Sequence, residues 1–385
     1  MLGAIEAIAA AHAAAAAGFS LVCAVASRAM MRAGRDSGAR PRVVLLRPAE
    51  ALTAALATRL EQDAFAYSGE LRRVACVARG GAAPAGVQVA LSGLSDDAVV
   101  NRKAAHLQAG YLAARDAIDD ATVVVHADSD VALLPGDLDA LVGSLVAGDE
   151  PCLAFAPPAP SGGTRFAQAL AQSVVSLSPQ SFAVIAALAG VTRGAPAIAG
   201  KLVAMPAPLL RAVGGYECMM HSIGDDVALV EAAARAGARV VMSPRAAVTI
   251  DDSRTPGSVA AQLARWLRVV GSHRPQLLLT YPLFIAPLAV AVLLTTLARS
   301  PVAWLSLSAL VASRALLSIV LARGPYRGRV RWASVLLAPL GDALLIRAAL
   351  LALTAGRIEW SGRRYRVGSG GRILAVESTG ARPEP

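Results

Sequence analysis

Three short runs, His126-Ala127-Asp128-Ser129-Asp130, Gly224-Asp225-Asp226 and Gln262-Leu263-Ala264-Arg265-Trp266, carry the groups able to do chemistry in a chain otherwise rich in Ala and Val. Asp128 and Asp130 flank one serine and offer two hard oxygen donors on one loop. Such a pair can hold Mg²⁺ or Mn²⁺, which in turn holds a diphosphate; carboxylates do not bind phosphates unaided, so a metal is implied. The same spacing is equally that of an ordinary solvated turn or a helix cap. Asp225 and Asp226 open a helix, where the dipole favours acids whatever their use. Gln262 and Arg265 stand three apart and share one helix face, while Arg265, Trp266 and Arg268 before an apolar stretch also fit a membrane-interface anchor.

The elements that must position these groups alternate. Arg42–Leu46, Arg73–Val77, Val87–Leu91, Thr122–Val125 and Cys152–Phe155 read as short apolar strands. Helices are expected from Glu50 to Gln62, from a Ser95 cap with Asp96 and Asp97 in its first turn to Ile118, and from Gly136 to Ala147. Strand–helix alternation means a doubly wound parallel α/β sheet. Asp128 and Asp130 then lie at its carboxyl edge, where open sheets bind ligands. Further on, Phe166–Leu188 is apolar but broken by Gln and Ser, and reads as an amphipathic helix at a membrane face. A Gly200–Met205 strand, a turn at Val213-Gly214-Gly215-Tyr216, and helices Asp226–Arg235 and Ser258–Val270 follow. The last dozen residues read as disordered.

Asp-x-Asp, then an acidic pair, then Gln-x-x-Arg-Trp ahead of apolar helices resembles the membrane-bound inverting glycosyltransferases, in particular the ceramide glucosyltransferase branch and its bacterial relatives that glycosylate hopanoids. The resemblance runs from Val43 to Trp266 and resumes at Trp360-Ser361-Gly362-Arg363-Arg364-Tyr365-Arg366-Val367. It implies a GT-A-like fold, a divalent metal (Mg or Mn) on Asp128 and Asp130, and Asp226 as the base that deprotonates the acceptor, with Asp225 as helper or cap. It implies further that Arg265 contacts the diphosphate, with Gln262 beside it, and that Trp266 forms a flat wall for sugar or acceptor. Gly200 would let backbone approach the donor sugar, with Lys201 nearby. One part of the pattern is missing: relatives carry an Asp after the second strand, where Ala78-Arg79-Gly80-Gly81 stands here.

Lysine usage points the same way. Of 37 cationic residues only Lys103 and Lys201 are lysine: either two lysines survive an arginine bias by chance, or a compact point charge is needed at these positions. Both fall in segments that the resemblance marks as functional, Asn101-Arg102-Lys103 before the Asp-x-Asp and Gly200-Lys201 in the acceptor-side strand, and it implies that both help bind the donor. Neither His126 nor His221 has the partner spacing of a zinc site. Cys23, Cys76, Cys152 and Cys218 lack paired spacing and read as free thiols.

Composition supplies the membrane. The 385 residues are 55% hydrophobic but 4% aromatic, and mean hydropathy is +0.53. Four stretches account for it: Ile5–Met30, Pro275–Leu297, Val302–Leu321 and Ser334–Thr354, each near the ~20 residues a span needs. Arg28 stands at the end of the first stretch, Arg32, Arg35, Arg40 and Arg42 follow it, and no Lys or Arg precedes Arg28. That favours an uncleaved anchor with its N-terminus outside and the next domain in the cytoplasm, over a secretory signal. Arg323, Arg327, Arg329 and Arg331 place the third loop inside too. Arg357, Arg363, Arg364, Arg366 and Arg372 want the tail inside, whereas four spans would put it outside; Asp342 and Arg347 make the last stretch either a span with these two paired inside the bundle or a re-entrant or interfacial segment. The expected division is an anchor over 1–33, a cytoplasmic catalytic domain over 41–272, membrane helices over 275–355 and a basic tail over 356–385.

Net charge is +10, but the cations flank apolar stretches rather than interleave with aromatics. Anionic lipid headgroups, not nucleic acid, are the expected partner. The whole reads as a multi-pass inner-membrane enzyme that moves one glucose or N-acetylglucosamine from a UDP-sugar to a lipid hydroxyl with inversion. A processive polysaccharide synthase shares Gln-x-x-Arg-Trp but should have more spans, and the missing acid leaves a non-catalytic sugar-nucleotide-binding protein as a third reading.

Overall fold

Short β-branched runs form the strands as expected, because fully buried parallel strands are apolar on both faces. The computed structural model describes residues 2–33, 38, 40–95, 98–145, 150–182, 184, 185, 188, 198–354, 357–360 and 362–378. The chain divides into two compact units. One comprises Met30–Pro158, Ala186–Ile250 and Glu359–Pro385, the other Met1–Ala29, Ala159–Ile185 and Asp251–Ile358.

The first unit is built on strands β1 (Val43–Ala51), β2 (Leu71–Arg79), β3 (Val87–Leu91), β4 (Val123–Ala127), β5 (Val131–Ala132) and β6 (Cys152–Phe155). After β7 (Pro158–Ser161) come β8 (Leu202–Pro206), β9 (Arg239–Met242) and β10 (Ala247–Ile250). Seven of these form one sheet in the order β3-β2-β1-β4-β8-β6-β9. β1 pairs in parallel with both β2 and β4, and β6 with β9, whereas β8 runs antiparallel to β4 and β6. This is the doubly wound, mostly parallel GT-A-like α/β sheet, with one reversed strand that periodicity could not reveal. Val43, Leu45, Val123, Val125, Leu138, Leu141, Ala154 and Ala204 form its core.

Several boundaries differ from expectation. Glu50 belongs to β1, and the helix after it begins at Ala54 under a Thr53 cap. The next helix runs Arg102–Ala113; its cap is Asn101, whose side chain accepts from Ala104 N–H, and not Ser95. Asp96, Asp97 and the end of the expected Gly136–Ala147 helix lie outside the described residues. Gly110 lets the Arg102–Ala113 helix touch the sheet, since a Cβ there would overlap Cys76 Sγ. Cys23, Cys76, Cys152 and Cys218 are free, and all but Cys218 are buried.

The second unit is helical. Two of its helices, Gly3–Ala29 and Pro301–Arg323, are long and apolar enough to cross a membrane. The expected span from Pro275 is instead a pair, Pro275–Ile285 and Leu288–Ala298, bent by 56°; Pro282 and Pro287 remove the backbone donors that continuity needs. The Ser334–Thr354 stretch is divided into Ala333–Leu336 and the 17-residue Ala338–Thr354. Its Asp342 is buried and ion-paired with Arg314. Expected to run from Phe166 to Leu188, the amphipathic helix covers Arg165–Val175, and every residue from Ala169 to Val175 is buried rather than laid open on a surface. Gln172 there accepts from Arg331 N–H and Ser334 Oγ at 2.8 and 2.9 Å.

Candidate active site

β4 ends at Ala127, and Asp128 N–H donates to Lys201 O at 2.9 Å, so the reversed strand β8 delivers Gly200-Lys201 alongside the Asp-x-Asp loop. Lys103, in the first turn of the helix capped by Asn101, reaches the same place. Its ammonium lies 2.8 Å from Asp128 Oδ1 and 2.8 Å from Asp225 Oδ2, and donates to Gly200 O at 2.9 Å. Lys201 Nζ lies 2.8 Å from Asp130 Oδ2 and 3.2 Å from Asp128 Oδ2. Asp226, beside Asp225 in the first turn of the Asp225–Arg235 helix, accepts from Gly200 N–H at 3.3 Å and Val227 N–H at 2.9 Å. A Cβ on Gly200 would stand 2.9 Å from that of Asp226, so the glycine makes room for this acid.

Four carboxylates around two ammoniums set the electrostatics. Burial alone would raise the Asp128 pKa, but Lys103 and Lys201 outweigh it and hold it at about 2. Burial would lower both lysines; Asp128 and Asp225 keep Lys103, and Asp130 and Asp128 keep Lys201, above the ordinary value. Asp226 goes the other way. Burial, and then the negative charge of Asp225, push it up to about 7, with Lys103 only partly offsetting them. His126 is held down at about 3 by burial and by Lys103, and it packs 3.3 Å from Tyr216 Oη as a neutral ring. His221 is exposed and contributes its carbonyl to Ile373 N–H.

The Asp-x-Asp loop rests on residues that the sequence did not single out. Arg47, fully buried at the end of the apolar run of β1, pairs with Asp63 at 2.6 Å. It also donates to Asp128 O and Val131 O at 2.7 and 2.8 Å. Arg59 donates to Ser129 O, and Ile250 N–H to Asp130 O at 2.8 Å. Each carbonyl of the loop thus has a donor, so the loop backbone is held apart from the contacts that its carboxylates make with Lys103 and Lys201. The visible signal was an arginine ending a strand of Val and Leu.

On the same edge, Glu50 near the end of β1 takes a bidentate hold of Arg102 at 2.6 and 2.7 Å. His106 Nε2 lies 3.6 Å from it. Burial works against its charge, but His106 and Arg102 hold the carboxyl well below the usual range. β2 runs to Arg79 without an acid, so Glu50, one strand over, puts a carboxylate on this edge.

The donor set suits a divalent cation. Asp130 Oδ1 is buried with no hydrogen-bond partner among the described residues, and two carboxylate oxygens are what Mg²⁺ or Mn²⁺ takes when phosphates and water complete its shell. Among the described residues no group of three or more His, Cys, Asp and Glu could hold an ion by itself.

Asp128, Asp130, Lys103, Gly200, Lys201, Asp225 and Asp226 are therefore one cluster. Gln262, Arg265 and Trp266 belong to the other unit, on the Pro256–His273 helix. That helix starts in a reciprocal Thr255–Ser258 cap and buries Val259, Leu263 and Leu267. Gln262, Arg265 and Trp266 are half-buried, and the Trp266 ring meets Phe182 edge-on at 6.1 Å.

Residues 7–373 match the family model of Glycosyl transferase family 21. No curated protein matches the chain. Among solved structures, the mannosyltransferase PcManGT from Pyrobaculum calidifontis, in complex with GDP-Man and Mn²⁺, is similar at 17% identity and a TM-score of 0.45, covering 91% of this chain and 99% of that one. Glucosyl-3-phosphoglycerate synthase from Mycobacterium tuberculosis, in complex with Mn²⁺, UDP and phosphoglyceric acid, is similar at 16% identity and a TM-score of 0.38, covering 63% and 80%.

Proposed function

Because the chain belongs to glycosyl transferase family 21, and so is a glycosyltransferase, we propose that it moves a single glucose or N-acetylglucosamine from a UDP-sugar to the hydroxyl of a ceramide- or hopanoid-like lipid, with inversion. The observation that carries this reading is Lys103, which joins Asp128 of the Asp-x-Asp loop to Asp225 beside Asp226. Donor-side and acceptor-side acids then share one pocket of charge.

Asp128 and Asp130 would hold a divalent cation, which supplies Lewis-acid stabilisation of the departing diphosphate. Asp226 takes the acceptor proton. Its carboxyl, poised near 7 by burial and by Asp225, has the affinity a general base needs at neutral pH. Asp225 supports it by repulsion and by anchoring Lys103. Lys103 and Lys201 supply positive charge to the donor side, Gly200 keeps the approach to Asp226 open, and Arg265 with Gln262 binds the diphosphate, an arginine being suited to two oxygens at once. Trp266 gives sugar or acceptor an apolar wall. A lipid acceptor accords with the apolar helices Gly3–Ala29 and Pro301–Arg323, and the arginines flanking the apolar stretches suit anionic headgroups of an inner membrane.

The test is transfer from radiolabelled UDP-glucose and UDP-N-acetylglucosamine by purified protein onto lipid extracts, with and without Mn²⁺. One labelled glycolipid carrying one sugar is expected. Polymer would mean a processive synthase, and donor binding without turnover on any lipid would mean a non-catalytic protein.

A further inference from the structure

The segment that leads into Gly224-Asp225-Asp226 is held from two sides within one unit. On one side Asn101 N–H donates to Met220 O at 2.7 Å, and its side-chain amide to Ser222 O at 2.9 Å. On the other side lies the C-terminal stretch, where β12 (Arg363–Val367) and β13 (Ile373–Ser378), after β11 (Arg357–Trp360), form an antiparallel hairpin. Ile373 N–H donates to His221 O and Ile223 N–H to Gly371 O, each at 2.9 Å, and Ser222 bridges Arg372 in antiparallel register. Tyr365 and Ile373 are buried. A solvated basic tail would make none of these bonds.

We propose that the hairpin 363–378 is a clasp that positions the start of the Asp225–Asp226 helix, and that the tail therefore lies on the catalytic side of the membrane, in a chain of three crossings. The positioning role rests on the function proposed above; the sidedness does not. The stretch Asp251–Ile358 leaves the catalytic unit after Ile250 and returns to it at Glu359. A chain that starts and ends on one side crosses an even number of times. Charge selects which crossings these are. If the bent pair Pro275–Ala298 and the helix Pro301–Arg323 both cross, only Arg299 faces the far side at their turn, and Arg323, Arg327, Arg329 and Arg331 stay on the catalytic side. Pairing Pro301–Arg323 with Ala338–Thr354 instead would export that arginine cluster and set the exposed Arg347 in lipid. Gly3–Ala29 supplies the remaining crossing.

The experiment uses the full chain in membranes, with Cys218 replaced by Ser, since the other native thiols are buried. Ser222 and Arg372 face each other as a non-hydrogen-bonded antiparallel pair, whose Cα atoms stand ~4.5 Å apart, within disulfide reach. Mild oxidation of a Ser222→Cys/Arg372→Cys variant should give the cross-link; none, with both thiols still reactive, overturns the clasp. An impermeant maleimide should label Arg115→Cys and Arg366→Cys from one side and Arg299→Cys from the other. Labelling of Arg366→Cys from the opposite side to Arg115→Cys overturns the topology. Ile373→Pro, which deletes the bond to His221, should lower kcat by about tenfold or more with UDP-sugar Kd unchanged, while Ile373→Val restores it; an unchanged kcat overturns the positioning role. Cross-linking and labelling read out even if no sugar is transferred, so failure of the clasp and failure of the enzymatic reading are distinguishable.

Discussion

Asp128 and Asp225, remote in sequence, are held on the same ammonium, each 2.8 Å from Lys103 Nζ. This contact turns two ordinary sequence patterns, an acid pair after a strand and an acid pair at a helix start, into one site. Beside it, burial and then the charge of Asp225 drive the Asp226 carboxyl up to about 7, with Lys103 only partly offsetting them.

Replacing Asp128 or Asp130 by Ala should abolish metal-dependent transfer while the protein stays folded in membranes. Mn²⁺ titration calorimetry in the presence of UDP should show the metal site lost. Full turnover by either variant in chelator would remove the metal from the account.

Asp226→Asn should keep donor affinity and lose transfer by roughly 10²–10⁴-fold, the range a general base contributes. Asp225→Asn should cost less. In the wild type kcat/KM should climb with pH through an inflection near 7, because the base works only when deprotonated. The same shift has the opposite sign for stability: a carboxyl raised in the folded state stabilises at acid pH and loses that contribution as pH rises through about 7. Should Asp225→Asn prove the more damaging, the base is one residue back.

Lys103→Met should move that pH inflection upward, since the lost ammonium favours the ionised form of Asp226. It should also destabilise the protein by about 3 kcal/mol, the low end for a broken buried pair, because Lys103 keeps 13% side-chain exposure. Denaturant midpoints and a pH–rate profile read the two effects separately; an unmoved inflection would detach Lys103 from Asp226.

Arg47→Met should cost about 3–5 kcal/mol by leaving Asp63 buried and unpaired. The double variant Arg47→Met/Asp63→Leu should recover much of that stability without recovering Mn²⁺ affinity, as Asp128 O and Val131 O lose the Arg47 guanidinium in both. Recovery of both would reduce Arg47 to a structural role.

The strands and the Asp-x-Asp loop were legible because apolar runs such as Val123-Val124-Val125 have few other uses. Asn101 was not, since Ser95 is an equally good cap by type; tertiary bonds to Met220 O and Ser222 O decide between them. The Arg47–Asp63 support was invisible because its partners meet only in the folded sheet. The tail was masked by its arginines: exposed Arg364 and Arg366 flank buried Tyr365, a period-two pattern that charge concealed. The bend in the second apolar stretch was not legible either, since Pro282 and Pro287 divide a run that hydropathy alone reads as continuous.

The central claim is that this cluster inverts an anomeric centre while transferring one sugar to a lipid hydroxyl. The most direct measurement is the anomeric configuration of the glycolipid made from an α-linked UDP-sugar, read by the proton coupling at the anomeric carbon, with wild type and Asp226→Asn side by side. A single β-linked sugar from the wild type and almost none from Asp226→Asn is the expected result. An α-linked product, or equal product from both proteins, would contradict it.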